Sequence, residues 1–279
     1  MKMTNRVLLV NRYYSISFLL IILISFFSWF FLSQYDLALF VWNPPNHLTR
    51  QEYLDLIFPF ANYPVEGFSI MQLLLPVFSG MIVLPFFQIK KIFSFAYTRT
   101  KSYKTMIVKI ILKNLLIGCT YLFVAYLVFL CIGASFLPIR EDVGAPRELF
   151  TEILGKNFFY EHMFLFYVID GFLKFFVFPL VYGLFAIAVS FLTNKEYVAL
   201  LLPIAYFLVL DILISVLNAM VPIDIFFLSP AYTIMSNTRV YLNGFAILAP
   251  LLPPLVFSLG VICWKLCIKQ KGSDVYAIA

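Results

Sequence analysis

Three ionisable side chains lie in stretches that are otherwise apolar: Asp170, Lys174 and Asp211. Placing a charge at the middle of a lipid bilayer costs at least about 2.5–3.5 kcal/mol, so such residues usually have a partner. Asp170 and Lys174 are four residues apart and face the same way on a helix, so Lys174 could pair with Asp170 or with Asp211. The pattern admits two interpretations. One is a structural ion pair or a charged head that reaches the membrane surface; the other is a direct role in handling a substrate or a proton.

The other reactive residue types form no recognisable catalytic or metal-binding set. His47 and His162 have no HExxH or HxxxH context, and the sequence contains no Gly-x-Ser-x-Gly elbow. The four cysteines all fall within apolar runs, with no histidine or second cysteine pair beside them, which favours simple packing. A Walker-type phosphate loop is also missing from the sequence. We therefore predict no catalytic residue, no metal site and no cofactor bound directly by this chain.

The composition predicts that the elements positioning these side chains are membrane-spanning helices. Of the 279 residues, 63% are hydrophobic and only 12% are charged, with a mean hydropathy of +0.95. Soluble domains average about 45–50% apolar and about 25% charged residues. The excess lies in long charge-free runs without alternation, and backbone amides in lipid need partners within their own segment, so the runs are predicted to be helices. The net charge of +6 does not indicate nucleic-acid binding, because the basic residues flank hydrophobic runs.

The hydrophobic runs divide residues 1–279, a single transmembrane domain, into about six spans. We place the spans at approximately 15–33, 70–88, 106–137, 164–192, 197–217 and 245–268. Pro76 and Pro85 are expected to kink the second span, so that neighbouring helices must satisfy the carbonyls that the prolines free. Ser229-Pro230 and Asn243-Gly244 predict a broken, partly re-entrant connection between spans five and six.

The distribution of basic residues predicts the orientation. With the N-terminus inside, fourteen of the twenty lysines and arginines fall on inner segments or inner ends of spans, and five fall on outer segments. This asymmetry follows the positive-inside rule and predicts that both termini are cytoplasmic. Independently of the basic residues, ten of the fourteen acidic residues lie on the outer side in this orientation.

The segment between spans two and three has the most informative local pattern. Residues 89–113 contain seven basic residues and no acidic one. Ile89, Ile92 and Phe93 recur at spacings of three and four, which places an apolar stripe along an amphipathic helix on the inner surface. One interpretation is a topology signal that contacts anionic lipid headgroups. The other is a docking helix for a cytoplasmic partner.

Two stretches of the sequence resemble the permease subunits of type-2 ABC exporters from Gram-positive bacteria. The first is Phe93-Ser-Phe-Ala-Tyr-Thr-Arg-Thr-Lys-Ser-Tyr-Lys104, which is similar to the family's aromatic-rich helix, arginine and basic turn before span three. The second runs from Gly183 through Ser190 and Asn194-Lys195-Glu196-Tyr197 to Pro203. It is similar to a fourth span that ends in serine, a short Asn-Lys-Tyr turn and a fifth span with an early proline.

The resemblance implies an exporter permease in a bacterial cytoplasmic membrane. Such a permease contacts membrane lipid, pairs with a second permease subunit, identical or different, and binds separate ABC ATPase subunits that hold ATP and Mg²⁺. The implied substrate is amphipathic: a peptide, a bacteriocin or a lipid-like molecule. The implied ATPase contacts are the coupling helix and the short turn after span four, comprising Ile89, Ile92, Phe93, Arg99, Lys101, Tyr103, Lys104, Asn194 and Lys195.

The alternative from another functional class is a membrane protein that works without ATP. An immunity or sensor protein of this kind would bind its ligand at the outer acidic segments, which hold most of the acidic residues. An intramembrane enzyme is disfavoured because the sequence has no catalytic set.

Overall fold

A computed structural model of the chain describes residues 12–42, 59–90, 103–139, 157–193, 195–221, 225–234 and 244–268. The described residues form helices and turns, with no strand among them. Within these ranges, six helices are long and apolar enough to cross a membrane, which confirms the all-α, six-span prediction. The spans are Arg12–Tyr35, Met71–Lys90, Lys104–Phe136, Met163–Leu192, Glu196–Met220 and Leu248–Leu266, and we number them one to six.

The helices follow the predicted runs to within a few residues at most boundaries. In chain order they are α1 Arg12–Trp42, α2 Asn62–Ser69, α3 Met71–Met81, α4 Leu84–Lys90, α5 Tyr103–Phe136, α6 Phe158–Glu161, α7 Met163–Phe172, α8 Phe178–Leu192, α9 Glu196–Met220, α10 Pro230–Ile234 and α11 Leu252–Ile268. A π-helical turn, Leu173–Val177, joins α7 to α8 within span four. Two 3₁₀ pieces, Phe226–Leu228 and Gly244–Leu251, flank α10.

Span four forms the centre of the bundle. It packs against spans two, three, five and six, whereas span one packs against span three and the short helix α2. Spans one, five and six bury fewer than a third of their residues inside the bundle, and many of their apolar side chains are exposed. Lipid tails are as apolar as these side chains, so an exposed apolar surface of this kind is what a bilayer accommodates.

Span two is broken between α3 and α4, at Ile82 and Val83, just before Pro85 in the first turn of α4. The Phe86 N–H bonds to the Val83 carbonyl at 2.9 Å, three residues back. The Ile82 carbonyl accepts a hydrogen bond from Asn114 Nδ2 of span three, at 3.0 Å. A neighbouring helix therefore supplies a donor to a carbonyl at the break, although the N–H that Pro85 lacks would have bonded to Met81. At Pro76 the helix continues without a break.

Glycines let spans three and four approach this break closely. A Cβ atom at Gly118 would lie 2.7 Å from the Ile82 Cβ, and one at Gly183 would lie 2.7 Å from Leu115. Small residues at helix contacts permit this approach in membrane bundles. The break in span two is thus enclosed by its neighbours, and its polar backbone is kept away from lipid.

The connection between spans five and six consists of short helical pieces in its described part. Ser229 and Ile234 are buried, and α10 packs against span five and the π-helical turn of span four. The sequence prediction of a broken connection agrees with this arrangement. Span six begins as the 3₁₀ piece and becomes α-helical only at Leu252, where three prolines occur close together: Pro250, Pro253 and Pro254.

Candidate functional site

The structure pairs Lys174 with Asp170 inside span four. Lys174 Nζ donates a hydrogen bond to Asp170 Oδ2, and each residue is 2% exposed. Lys174 Nζ also lies 4.4 Å from the centroid of the Phe68 ring in α2, a cation–π contact. The positive charge of Lys174 is therefore neutralised by a carboxylate of the same helix and covered by an aromatic ring.

The π-helical turn coincides with this pair. Such turns carry an extra residue and often occur at functional sites. Gly171 precedes the turn, and a Cβ atom there would lie 1.9 Å from Tyr126 Cε1 of span three. The Tyr126 ring in turn stacks on Phe175 within the turn, with centroids 4.7 Å apart. Span three therefore packs tightly against the segment that holds Lys174.

Two buried tyrosines lie near the ion pair, and the hydroxyl of each is hydrogen-bonded. Tyr126 donates to the Tyr167 carbonyl at 3.2 Å, and Tyr167 donates to the Ala61 carbonyl at 2.6 Å. Asp170 lies within electrostatic range of both tyrosines, and all three residues are buried. A neutralised pair in such a closed environment suits a structural role, because neither charge faces an open space.

Asp211 of span five has different surroundings. Its carboxylate accepts a hydrogen bond from Ser229 Oγ, which in turn accepts one from the Ala231 N–H at 3.2 Å. Lys174 is paired with Asp170 and not with Asp211, so of the two pairings that the sequence allowed, the structure forms the one within span four. Tyr182 of span four lies within electrostatic range of Asp211. Its hydroxyl is buried without a hydrogen-bond partner in the described part of the chain.

A second polar cluster lies where the end of span two meets the ends of spans four and six and the start of span five. Lys90 Nζ, at the end of span two, donates to the Ser190 carbonyl near the end of span four at 2.5 Å. Glu196 at the start of span five and Lys265 near the end of span six lie within electrostatic range of Lys90. The ends that carry the predicted inner basic residues therefore meet at one face of the bundle.

The residues predicted to contact an ATPase fall only partly within the described chain. Ile92, Phe93, Arg99, Lys101 and Asn194 lie outside the described residues. Ile89 lies in the last turn of α4 and is 3% exposed, packed into the core of the bundle. Tyr103 is the first residue of α5, and Lys104, which follows it, is partly buried. Lys195 is exposed just before α9.

Sequence reasoning missed two polar residues that the structure makes prominent, Asn114 and Tyr182, and it named Ser229 only as part of the broken connection. Asn114 had a readable signal, because a lone amide in the apolar interior of a span needs a partner. Tyr182 had none, since tyrosine is common in membrane helices. Among the described residues, no three His, Cys, Asp or Glu side chains are grouped so that they could hold a metal ion.

The fold defines the class as a multi-pass, all-helical membrane protein. The chain matches no protein-family model, no curated protein and no solved structure.

Proposed function

We propose that this chain is the membrane-spanning permease subunit of an ATP-driven ABC exporter, with ATP hydrolysis carried out by separate subunits. In this proposal, two copies of the permease, or two related chains, move an amphipathic substrate outward across a bacterial cytoplasmic membrane. The ATPase docks on the segment that follows Lys90 and on the short turn around residue 195.

The observation that carries the proposal is the hydrogen bond from Lys90 to the Ser190 carbonyl. Lys90 lies at the start of the predicted coupling segment, directly after Ile89, and Ser190 lies four residues before Asn194 of the predicted second contact. The hydrogen bond joins the ends of spans two and four beside these two predicted contacts. A partner that moved either stretch would pull on spans two and four together.

The central position of span four supports the same proposal. It contacts spans two, three, five and six, so a displacement at its inner end reaches most of the bundle. Packed interiors transmit strain because they contain few voids. Closure of an ATPase against this end would therefore rearrange the whole subunit rather than a single loop.

The first test is affinity purification of the tagged chain from its native membrane, followed by identification of the co-purifying proteins. We expect a stoichiometric ATPase of about 200–300 residues with a Walker loop. Purification of the chain alone, under conditions where known ABC complexes survive, would overturn the proposal and favour the immunity or sensor alternative.

Charge variants then test where the ATPase docks. Replacing Arg99 and Lys101 together by glutamine should reduce ATPase recovery and leave membrane insertion unchanged. The matched control replaces Lys269 and Lys271, two basic residues on the same predicted side, and should retain the ATPase. Equal recovery with both pairs of substitutions would exclude this docking segment.

A further variant tests the contact that the structure adds. Lys90→Met removes the hydrogen bond to Ser190 and should also weaken ATPase recovery, because the two docking stretches lose their common anchor. Lys109→Met removes an exposed lysine of span three and serves as its control. If both lysine variants recover as much ATPase as the native chain, then the Lys90 contact has no part in docking.

A further inference from the structure

The two carboxylates inside the spans are neutralised differently. Asp170 is paired with a buried lysine of its own helix. Asp211 accepts a hydrogen bond only from a neutral hydroxyl, that of Ser229, and no described lysine, arginine or histidine forms an ion pair with it. A carboxylate inside a membrane that has no positive partner is costly, so Asp211 is a site where positive charge would be bound favourably.

Asp211 lies far from both ends of span five. Along a helix that rises about 1.5 Å per residue, Asp211 lies about 22 Å from Glu196 and about 14 Å from Met220 at the two ends of span five. Neither aqueous surface is within reach of its short side chain. A positive charge bound from within the bilayer would therefore stabilise the ionised carboxylate.

A second observation in the same region concerns a buried hydroxyl group. The Tyr182 hydroxyl is fully buried and has no hydrogen-bond partner among the described residues. Asp211 and Tyr206 both lie within electrostatic range of it. Buried hydroxyl groups normally find a partner, and this one has lone pairs free to accept a hydrogen bond.

Aromatic rings surround the Tyr182 side of this site. The Tyr182 ring stacks on Phe178 with centroids 4.3 Å apart, and Phe207 lies edge-on at 6.1 Å. The Tyr206 ring, which is partly exposed, lies 6.4 Å away. These rings give the site an apolar lining, which suits the hydrocarbon part of an amphiphile.

The exposed face of span five indicates how a ligand would enter. Asp211 is itself partly exposed, and Leu208 and Ile212 beside it on the helix are exposed apolar residues. An apolar surface with one negative charge complements a molecule with a hydrocarbon tail and a single positive head. An inorganic cation fits less well, because hard cations take about six oxygen ligands, whereas Ser229 Oγ is already engaged in two hydrogen bonds.

We infer that Asp211 and the Tyr182 hydroxyl bind the positively charged amino head of a cationic amphiphile that reaches them from the lipid face of span five. The head forms an ion pair with the Asp211 carboxylate and donates a hydrogen bond to Tyr182, while the tail lies along Leu208 and Ile212. The inference rests on the proposed function, since it names the substrate class of the exporter as an amphipathic amine.

Equilibrium binding of radiolabelled dodecylamine to the purified full chain in lipid nanodiscs tests this site. Empty nanodiscs of the same lipid correct for partitioning, and dodecanol, with a similar tail and no charge, is the matched competitor. We expect saturable binding that dodecanol does not displace. If sodium chloride displaces dodecylamine equally well from the native chain and from each of the variants described below, the binding is non-specific electrostatic attraction and the inference is overturned.

Three variants assign the binding to the site. Asp211→Asn keeps the acceptor for Ser229 and should weaken binding about tenfold or more, because the ion pair is lost. Tyr182→Phe should weaken it about two- to fivefold, in proportion to one lost hydrogen bond. Glu161→Gln removes an exposed carboxylate that lies outside the spans, just before span four, and should leave binding unchanged.

The outcomes separate this inference from the proposed function. Binding to Asp211→Asn as tight as to the native chain overturns the inference, and so does the absence of saturable binding to the native chain. Tyr182→Phe guards against misfolding of the aspartate variant, because it removes only an oxygen with no described partner. The assay uses no ATPase, so a chain that binds dodecylamine but recovers no ATPase would refute the exporter proposal and leave the site intact.

Discussion

Asn114 of span three donates a hydrogen bond from Nδ2 to the Ile82 carbonyl of span two and accepts one from the Tyr14 hydroxyl of span one. The two distances are 3.0 Å and 2.8 Å, and Asn114 is fully buried. A single amide thus joins three spans at the point where Pro85 breaks the second. Asn114 thereby supplies a side-chain donor to a carbonyl at the break and links it to span one.

Asn114→Leu should destabilise the protein by about 1–3 kcal/mol, because the Ile82 carbonyl loses its side-chain donor and the Tyr14 hydroxyl keeps only its longer contact, 3.3 Å, to the backbone carbonyl of residue 114. Unfolding in increasing dodecyl sulfate, followed by circular dichroism, measures the free energy. The control is Thr120→Val, which removes an exposed hydroxyl bonded only to its own helix. Equal stability of the two variants would mean that the break in span two does not depend on this amide.

The Asp170–Lys174 pair should show strong coupling in a double-mutant cycle. Lys174→Met leaves a buried uncompensated carboxylate and should cost about 3–5 kcal/mol, as should Asp170→Leu for the opposite reason. The double variant should be more stable than either single variant, because no unpaired charge remains. The same unfolding assay gives the coupling free energy, and additive effects of the two substitutions would contradict a buried ion pair.

Gly171→Ala should be much more disruptive than Gly260→Ala. A methyl group at Gly171 meets the Tyr126 ring, whereas nothing lies within 4 Å of a methyl group at Gly260. Overpacking at Gly171 should cost about 1–3 kcal/mol, and the exposed Gly260 variant should be neutral or up to about 1 kcal/mol more stable, because alanine favours a helix. Thermal unfolding in detergent compares them, and a neutral Gly171→Ala would refute the close approach of spans three and four.

Single cysteines at the two ends of the bundle should report the predicted orientation. In a background without the four native cysteines, a cysteine replacing exposed Glu161 should react with a membrane-impermeant maleimide in intact cells. A cysteine replacing exposed Lys195 should react only after the membrane is permeabilised, because the basic ends are predicted to lie inside. The reverse labelling pattern would invert the topology and remove the basis for an inner docking face.

The sequence by itself determined the class and the layout of this protein. Long apolar runs cannot be hidden in water and cannot leave backbone groups unpaired in lipid, so composition and run length alone give six helices and their boundaries. The need to compensate Pro85 was also readable, because a missing N–H and a freed carbonyl are properties of the residue itself. The side chain that donates to a carbonyl at this break, Asn114, was not readable, because it belongs to another span.

Only the tertiary structure decided which polar groups meet. The spacing of Asp170 and Lys174 allowed an ion pair within span four, yet Asp211 was an equal candidate on sequence grounds, and the choice depends on how spans four and five are rotated against each other. The link from Lys90 to Ser190 and the pairing of Asp211 with Ser229 join residues far apart in the chain. Helix periodicity gives the face on which a residue lies, but the neighbour of that face is set by packing, which no single segment encodes.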